Sequence, residues 1–221
     1  RPVVNFSFAL NYAINRAFGV VQSPRAGGYE TISYHVVDIG LHVIAALLLF
    51  AVIWRTIRFG TVPDSWHDGA RSLAAIVAGI WLIHPIQTDA VDYVSQRTEV
   101  LVSVLYLTTL YAAIRAWWGE GDRTSATTTP ARIRWLALSV AASALGMATK
   151  EVMFTAPLVV LLFDRAFVSA SWRAIWHDRV RRTFYLALFA TMGVSLALIA
   201  HGARAETVGF NRAMPWYRYL Y

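Results

Sequence analysis

The sequence predicts an all-α membrane protein: a polytopic bundle of about six transmembrane helices, with one further helix lying on the outer membrane surface. Two observations predict this class. Hydrophobic residues make up 57% of the 221 residues and charged residues only 15%, too few for the polar exterior of a soluble domain of this length. The apolar residues also fall in runs that approach the roughly 20 residues needed to cross the hydrocarbon core of a bilayer.

Six apolar runs are the candidate spans, and together they define a transmembrane bundle over residues 34–201. In chain order they are residues 34–54, 71–86, 97–117, 133–149, 152–168 and 183–201. Only Lys150-Glu151 separates the fourth run from the fifth. As one helix the two would be about 54 Å long, against a hydrocarbon core of ~30 Å. We therefore expect two helices joined by a tight turn.

The placement of basic residues predicts the orientation. The net charge is +7 and comes from nineteen arginines and one lysine. With six spans, residues 55–71, 115–134 and 165–182 share one side and hold twelve of the twenty basic residues. Short loops rich in arginine lie on the cytoplasmic side. Since the arginines lie between apolar runs, nucleic-acid binding is not expected. The absence of cysteine excludes disulfides and Cys-ligated zinc.

Two segments flank the bundle on the predicted outer side. Residues 1–33 combine an amphipathic stretch at 5–12, typical of an interfacial helix, with a Pro/Gly loop at 23–28. Residues 202–221 would begin a further outer segment. The chain opens at Arg1-Pro2 and stops at Leu220-Tyr221 within an aromatic-rich stretch, so we expect it to be part of a longer protein.

Three polar side chains interrupt the first span near its outer end. His35, Asp38 and His42 are spaced i, i+3 and i+7, which places them within a roughly 60° arc of one helix face. Because a charge facing lipid is costly, this stripe should face the bundle or a wet cavity. Two interpretations stay open: Asp38 pairs with a histidine to hold helices together, or the stripe lines a substrate site.

The second span ends in a polar segment. His84 precedes a proline, so the helix should end there. Thr88 is the expected N-cap of a new helix, whose dipole Asp89 complements. The polar side chains that would share one face of this helix are Asp89, Asp92, Gln96 and Glu99. The segment is either a solvated loop helix or an outer polar wall around a substrate. His84, Asp89 and Asp92 match no standard metal-ligand spacing.

The only lysine, Lys150, lies at the outer turn of the apolar 133–168 hairpin. An ammonium is a compact charge suited to a phosphate oxygen. Alternatively, Glu151 neutralises Lys150 and the pair caps the turn. Arg97 and Arg204 are two further outer-side cations with the same ambiguity.

Four short motifs follow one another along nearly the whole chain. They are Arg1-Pro2 with residues 5–12, Tyr34-His35 with residues 38–42, residues 84–91, and residues 149–151 with Pro157-Leu158 and residues 162–165. In order and spacing they resemble the membrane O-mannosyltransferases that carry tetratricopeptide repeats. The resemblance implies a GT-C glycosyltransferase fold and an enzyme that moves mannose from a polyprenyl-phosphate carrier to a protein hydroxyl at the outer membrane face.

The implied chemistry gives the outer polar residues expected roles. The expected partners of the protein are a polyprenyl-phosphate sugar donor, an acceptor protein and the lipid bilayer. Whether the reaction needs a divalent metal stays open, and no residue is assigned as a metal ligand. The expected roles are donor-phosphate binding for Lys150, Arg97 and Arg204, the sugar and acceptor pocket for His84, Asp89, Asp92 and Glu151, and orientation of a catalytic loop for His35, Asp38 and His42. A multi-pass protein of the bacterial inner membrane, with its site on the periplasmic side, is expected.

The chain departs from the family pattern in two places, with Asp38 where members commonly have Asn and Gln87-Thr88-Asp89 where they have His-Thr-Glu. The acidic motif that would supply the catalytic base is expected upstream of Arg1, and the repeats after Tyr221, so the fragment is expected to be inactive alone. Two other classes stay open: a secondary transporter, whose site would lie near the bilayer midplane, and a non-catalytic membrane scaffold.

Overall fold

The computed structural model describes residues 1–18, 31–119 and 129–200, and within these ranges the chain is helical without any strand. The α-helices of these ranges are α1 (Pro2–Ala17), α2 (Ile32–Phe59), α3 (Ala70–Ile83), α4 (Thr88–Asp92), α5 (Arg97–Trp118), α6 (Thr129–Met147), α7 (Ala156–Phe163), α8 (Trp172–His177), α9 (Arg179–Ala190) and α10 (Met192–Ala200). The predicted all-α class is confirmed.

Several helices have the length and composition of membrane spans. Ile32–Phe59, Val94–Trp118 and Arg179–Ala200 each qualify, and Ala70–Ile83 qualifies together with Pro85–Asp92, from which it is bent by 51°. The chain is therefore a multi-pass membrane protein. All six predicted spans coincide with helical segments, but the structure supports three or four of them by this measure. Arg132 and Arg134 lower the mean hydropathy of α6, and α7 has only eight residues.

Helix α5 lies at the centre of the bundle. It packs along α2 on one side and along α6 on the other, while α3 packs against α2. Two interhelical hydrogen bonds fix the register of α6. The Ser139 hydroxyl donates to the Thr109 carbonyl over 2.8 Å, and the Ser143 and Thr191 hydroxyls lie 2.9 Å apart. Hydroxyls that bridge helices in this way are a common means of joining membrane helices.

Two apolar clusters fill the interior. The larger surrounds the second half of α5 and includes Leu110, Ile114, Ile175, Tyr185 and Leu188. The smaller lies beneath the turn between α6 and α7 and consists of Val102, Met147, Met153 and Ala156. The first half of α5, which begins at Arg97, and the α6–α7 turn, which carries Lys150 and Glu151, therefore pack on a small apolar core of their own.

Candidate functional site

Three interruptions of the helices meet at one end of the bundle. After α3 the backbone is extended at His84, forms a 3-10 turn over Pro85–Gln87, continues as α4 and is extended again at Tyr93. After α6 it is extended at Lys150 before a 3-10 turn over Glu151–Thr155. Residues at helix ends and breaks can present polar groups that a continuous apolar span would hide. Most of the predicted site residues lie here.

Arg97, the first residue of α5, is a buried centre of contacts at this end. Its Nε donates to Asp38 Oδ1 of α2 over 2.5 Å, and neither side chain is accessible to solvent. Its Nη2 donates to the Asn11 side-chain oxygen of α1 over 3.1 Å and to the Tyr34 carbonyl over 3.0 Å. The guanidinium also lies 4.4 Å from the centre of the Phe8 ring. One side chain thereby joins α1, α2 and α5.

His42 lies one turn deeper on the same face of α2 as Asp38. It is buried, its Nε2 is 3.0 Å from the Leu82 carbonyl, and its ring packs 4.8 Å from that of Trp81. The stripe predicted from spacing therefore faces the bundle at Asp38 and His42, while His35 at its outer end is half-buried. Asp38 pairs with Arg97 instead of the histidine that the packing interpretation proposed.

A small cavity opens beside His42, between α2, α3, α4 and α5. Its volume is about 40 Å³, enough for a few water molecules, within about 260 Å³ of empty space that includes the surrounding solvent. Its lining residues are His42, Ala45, Trp81, Gln87, Ala90, Glu99, Val100 and Ser103. The cavity brings one aromatic ring and a few polar groups together, and at this volume it holds water molecules.

Lys150 forms an ion pair with Glu99, and Glu99 lines this cavity. The ammonium donates to Glu99 Oε1, and both side chains are partly exposed, at 28% and 38% of their surfaces. Glu99 lies in the first turn of α5, two residues after Arg97, and lines the cavity. The hydroxyls of Tyr106 and Thr155, 3.1 Å apart, hold the Lys150 turn against α5. The lysine is thus neutralised by a carboxylate that itself borders the cavity.

The polar segment after α3 differs from the predicted helix in two respects. Helix α4 begins at Thr88, with Gln87 in the N-cap position and no side-chain cap, so the predicted capping role of Thr88 is wrong. The extended backbone at Tyr93 then ends α4, so the predicted continuous face from Asp89 to Glu99 does not form. Asp89 and Asp92 are exposed on α4, and Glu99 lies beyond the break, on α5.

His84 ends α3, as the following proline predicts. Its backbone is extended, and its Nδ1 accepts a hydrogen bond from the Ile86 amide over 3.1 Å, so the ring caps its own turn. Within the described part of the chain no three His, Asp or Glu side chains come together as metal ligands. The third predicted cation, Arg204, lies outside the described residues, as does the segment 202–221.

Comparison with curated proteins finds relatives that are named protein O-mannosyl-transferases. A Drosophila melanogaster protein named protein O-mannosyl-transferase Tmtc2 is 32% identical over 169 residues, 74% of this chain and 15% of its own length. Mouse and human proteins named protein O-mannosyl-transferase TMTC4 are 23% and 24% identical over 80% and 74% of this chain. The chain belongs to the TMTC family. No family model matches it, and no solved structure does.

This TMTC chain spans about 15% to 23% of the length of these relatives. The relatives come from an insect and two mammals, so they lend no support to the bacterial membrane expected from the sequence. They do agree with a multi-pass membrane protein. The activity in their names belongs to much longer chains.

The structure of the TMTC chain brings some of the predicted residues together and separates others. Arg97 with Asp38, and Lys150 with His42 through Glu99, gather at one end. Sequence reasoning missed Asn11 and gave Glu99 no role of its own. The available signals were modest: Asn11 lies within the first family motif, and Glu99 is an acid in the first turn of a helix.

The opposite end of the TMTC chain is organised by a second buried carboxylate. Asp164, at the end of α7, accepts hydrogen bonds from Tyr185 over 2.7 Å, Ser169 over 2.7 Å and Arg181 over 3.0 Å. These contacts enclose the π-helical turn Asp164–Val168. The motif at residues 162–165 therefore supports the fold at the end away from Lys150.

Asp178 begins α9 at this same end. Partial burial raises the pKa of its carboxyl, but a hydrogen bond from Arg132 and two from the backbone amides of Arg181 and Val180 outweigh burial, so that the pKa lies below its ordinary value. Asp178 is thus ionised and caps the helix.

Proposed function

We propose that this TMTC chain forms part of a glycosyltransferase that moves mannose from a polyprenyl-phosphate carrier to a protein hydroxyl at the extracytoplasmic face of the membrane. The observation that carries the proposal is the Lys150–Glu99 ion pair beside a polar cavity at one end of the bundle. A half-exposed ammonium at the membrane surface suits the phosphate of a lipid carrier. The names of the relatives supply the reaction class.

The proposed reaction is a displacement at the anomeric carbon of the sugar. The bond from that carbon to the carrier phosphate breaks as the bond to the acceptor oxygen forms, and a carboxylate takes the acceptor proton. Negative charge develops on the departing phosphate, so a cation held nearby lowers the barrier. Lys150 supplies that cation when its ammonium moves from Glu99 to the phosphate oxygen.

The two predicted phosphate-binding cations that lie within the described residues take different roles in this proposal. Arg97 has no solvent-accessible surface, and its guanidinium is already shared among Asp38, Asn11 and Tyr34. Binding a phosphate would break those contacts. Lys150 keeps 28% of its side chain exposed and pairs with one carboxylate of the described residues, that of Glu99. We therefore assign the donor phosphate to Lys150 and a positioning role to Arg97, which fixes α1, α2 and the start of α5. Arg204 stays a candidate for the phosphate.

The sugar and acceptor are proposed to bind around the cavity of Glu99 and His42. Gln87 and Ser103 offer hydrogen-bonding groups in its wall. The exposed side chains at the same end that would shape the entrance are His84, Asp89 and Asp92, with Glu151 on the neighbouring turn. His35, with Asp38 and His42 below it, lies where a further outer loop would contact α2.

The proposed architecture is a GT-C-like bundle over residues 34–201, with outer segments at 1–33 and 202–221. Helix α1 supports an interfacial position because Phe6, Leu10 and Ile14, each four residues apart, are exposed along one side while Phe8 and Asn11 contact the bundle. The arginine-rich loops lie at the end away from Lys150, which supports an extracytoplasmic site.

Replacing Lys150 in the full-length protein tests this function. We expect Lys150→Ala to lower mannose transfer from a polyprenyl-phosphate donor about 10²- to 10³-fold, the loss typical of removing one group that stabilises developing charge. Lys150→Arg, which keeps the charge, should retain part of the activity. The matched control is Arg58→Ala, since Arg58 is an exposed cation at the opposite end of α2. Wild-type transfer by Lys150→Ala would refute the assignment of the donor phosphate to Lys150.

A further inference from the structure

A groove between α6 and α9 lies away from the Lys150 site. It holds about 1140 Å³ of empty space, including its open side. Its lining residues are Ile133, Leu136, Ala137, Val140, Ala141, Ala144, Arg179, Val180, Thr183, Phe184 and Ala187. Apart from Arg179 and Thr183 these side chains are apolar. The four alanines have small side chains, which leaves space between the two helices. The groove is an elongated apolar channel with one charged end.

The dimensions of the groove correspond to one leaflet of a bilayer. From Ile133 to Ala144 helix α6 rises about 16 Å, and half of a hydrocarbon core is about 15 Å. A polar contact between the two helical segments lies at each end of the groove. Arg132 donates to Asp178 over 2.8 Å at the charged end, and the Ser143 and Thr191 hydroxyls lie 2.9 Å apart at the other.

The charge of Arg179, at the charged end of the groove, is not balanced by a carboxylate of the described residues. Asp178 is paired with Arg132, and Asp164 with Arg181. Arg179 is exposed at the rim and forms no ion pair with a carboxylate of the described residues. An anion placed at this end of the groove would therefore meet an available guanidinium.

We propose that this groove binds one acyl chain of an anionic phospholipid, with the lipid phosphate at Arg179. The apolar lining accepts the chain, its length matches one leaflet, and the rim arginine selects a negatively charged headgroup. The sugar carrier is a different ligand: Arg179 and Lys150 lie at opposite ends of the α6 region, so this phosphate sits at the membrane surface away from the Lys150 site.

Lipid retention by the full-length protein tests the proposal. The protein is exchanged into equal amounts of phosphatidylglycerol and phosphatidylcholine, and co-purifying lipids are counted by native mass spectrometry. We expect about fivefold preference for phosphatidylglycerol, the bias that one basic side chain near a lipid surface gives. Arg179→Gln should abolish this preference. Arg182→Gln is the matched control, because Arg182 is an exposed neighbour that does not line the groove.

A second variant tests the groove itself. Ala141→Phe fills the channel from an exposed position, so the fold should tolerate it, and retention of phosphatidylglycerol should fall while the thermal midpoint stays near that of the wild type. Unchanged retention in both Arg179→Gln and Ala141→Phe would overturn the proposal. Cross-linking of an Ala141→Cys variant to another protein segment would also overturn it, because the groove would then be a protein contact.

Discussion

The charge of Arg97 is buried without solvent contact, and four neighbouring groups stabilise it there. Asp38 supplies the countercharge, Asn11 and the Tyr34 carbonyl accept further hydrogen bonds, and the Phe8 ring covers one face of the guanidinium. Removing one partner of a buried ion pair leaves the other charge uncompensated, which is far worse than removing both. The pair therefore has consequences for stability that a surface pair lacks.

A double-mutant cycle tests this structural role of Arg97. We expect Arg97→Met to destabilise the full-length protein by about 3–5 kcal/mol, since it leaves Asp38 buried and unpaired. Combining it with Asp38→Leu should recover most of that loss. Thermal unfolding in detergent measures both, with Arg58→Met as the exposed control.

The same double variant separates a positioning role from phosphate binding. A stable double variant that retains measurable mannose transfer agrees with our assignment of Arg97. A stable double variant without activity would return Arg97 to the donor phosphate. The mannose-transfer assay therefore distinguishes the two roles of Arg97, which the stability measurement alone cannot do.

Single residues also show how far sequence reasoning reaches. The spacing of His35, Asp38 and His42 predicted that this face turns inward, because charge facing lipid is costly. The partner of Asp38 could not be predicted, since Arg97 lies 59 positions away and local pattern contains no information on such pairs. The partner of Lys150, Glu99, is similarly distant at 51 positions.

At the scale of elements, the breaks in the helices place the site. Proline after His84 predicted the end of α3 because it disfavours helical backbone in the preceding residue. The second break, at Tyr93, has no such local signal, and the predicted face from Asp89 to Glu99 failed there. The division between α6 and α7 was predicted from membrane thickness and from the placement of the arginines, and the extended backbone at Lys150 confirms it.

The turn after α6 depends on the small size of Gly146. A β-carbon at this position would lie 2.6 Å from Met153 Sδ and 2.8 Å from its Cγ, and Met153 is fully buried. The Gly146 carbonyl also accepts the amides of Thr149 and Lys150, at 2.8 Å and 3.1 Å. Close packing of glycine against the methionine thus sets where the Lys150 turn begins.

Gly146→Ala should therefore destabilise the protein by about 1–3 kcal/mol, the usual result of overpacking a filled core. Gly40→Ala is the matched control, because a β-carbon there has nothing within 4 Å and alanine favours helix by roughly 0.5–1 kcal/mol. Thermal midpoints of the two variants should move in opposite directions. Equal shifts would contradict the packing argument.

At the scale of the whole molecule, the two ends of the bundle differ in chemistry. One end holds arginine-rich loops with aromatic neighbours, such as Arg115 4.7 Å from the Trp135 ring centre and Arg71 5.3 Å from that of Trp54. The other holds the broken helices and the Lys150–Glu99 pair. Composition predicted the all-α membrane class, and arginine placement predicted the polarity. The number of spans was predicted less well, because α6 and α7 combine short apolar lengths with polar ends.

Cysteine accessibility tests the central claim most directly, because this chain has no cysteine of its own. Single cysteines at Val152, beside Lys150, and at Ala170, in the arginine-rich loop before α8, occupy exposed positions at opposite ends. We predict that an impermeant maleimide added outside the membrane labels the cysteine at 152 in intact vesicles, and labels the cysteine at 170 only after permeabilisation. The reverse pattern would place Lys150 on the cytoplasmic side and contradict a sugar-transfer site at the extracytoplasmic face.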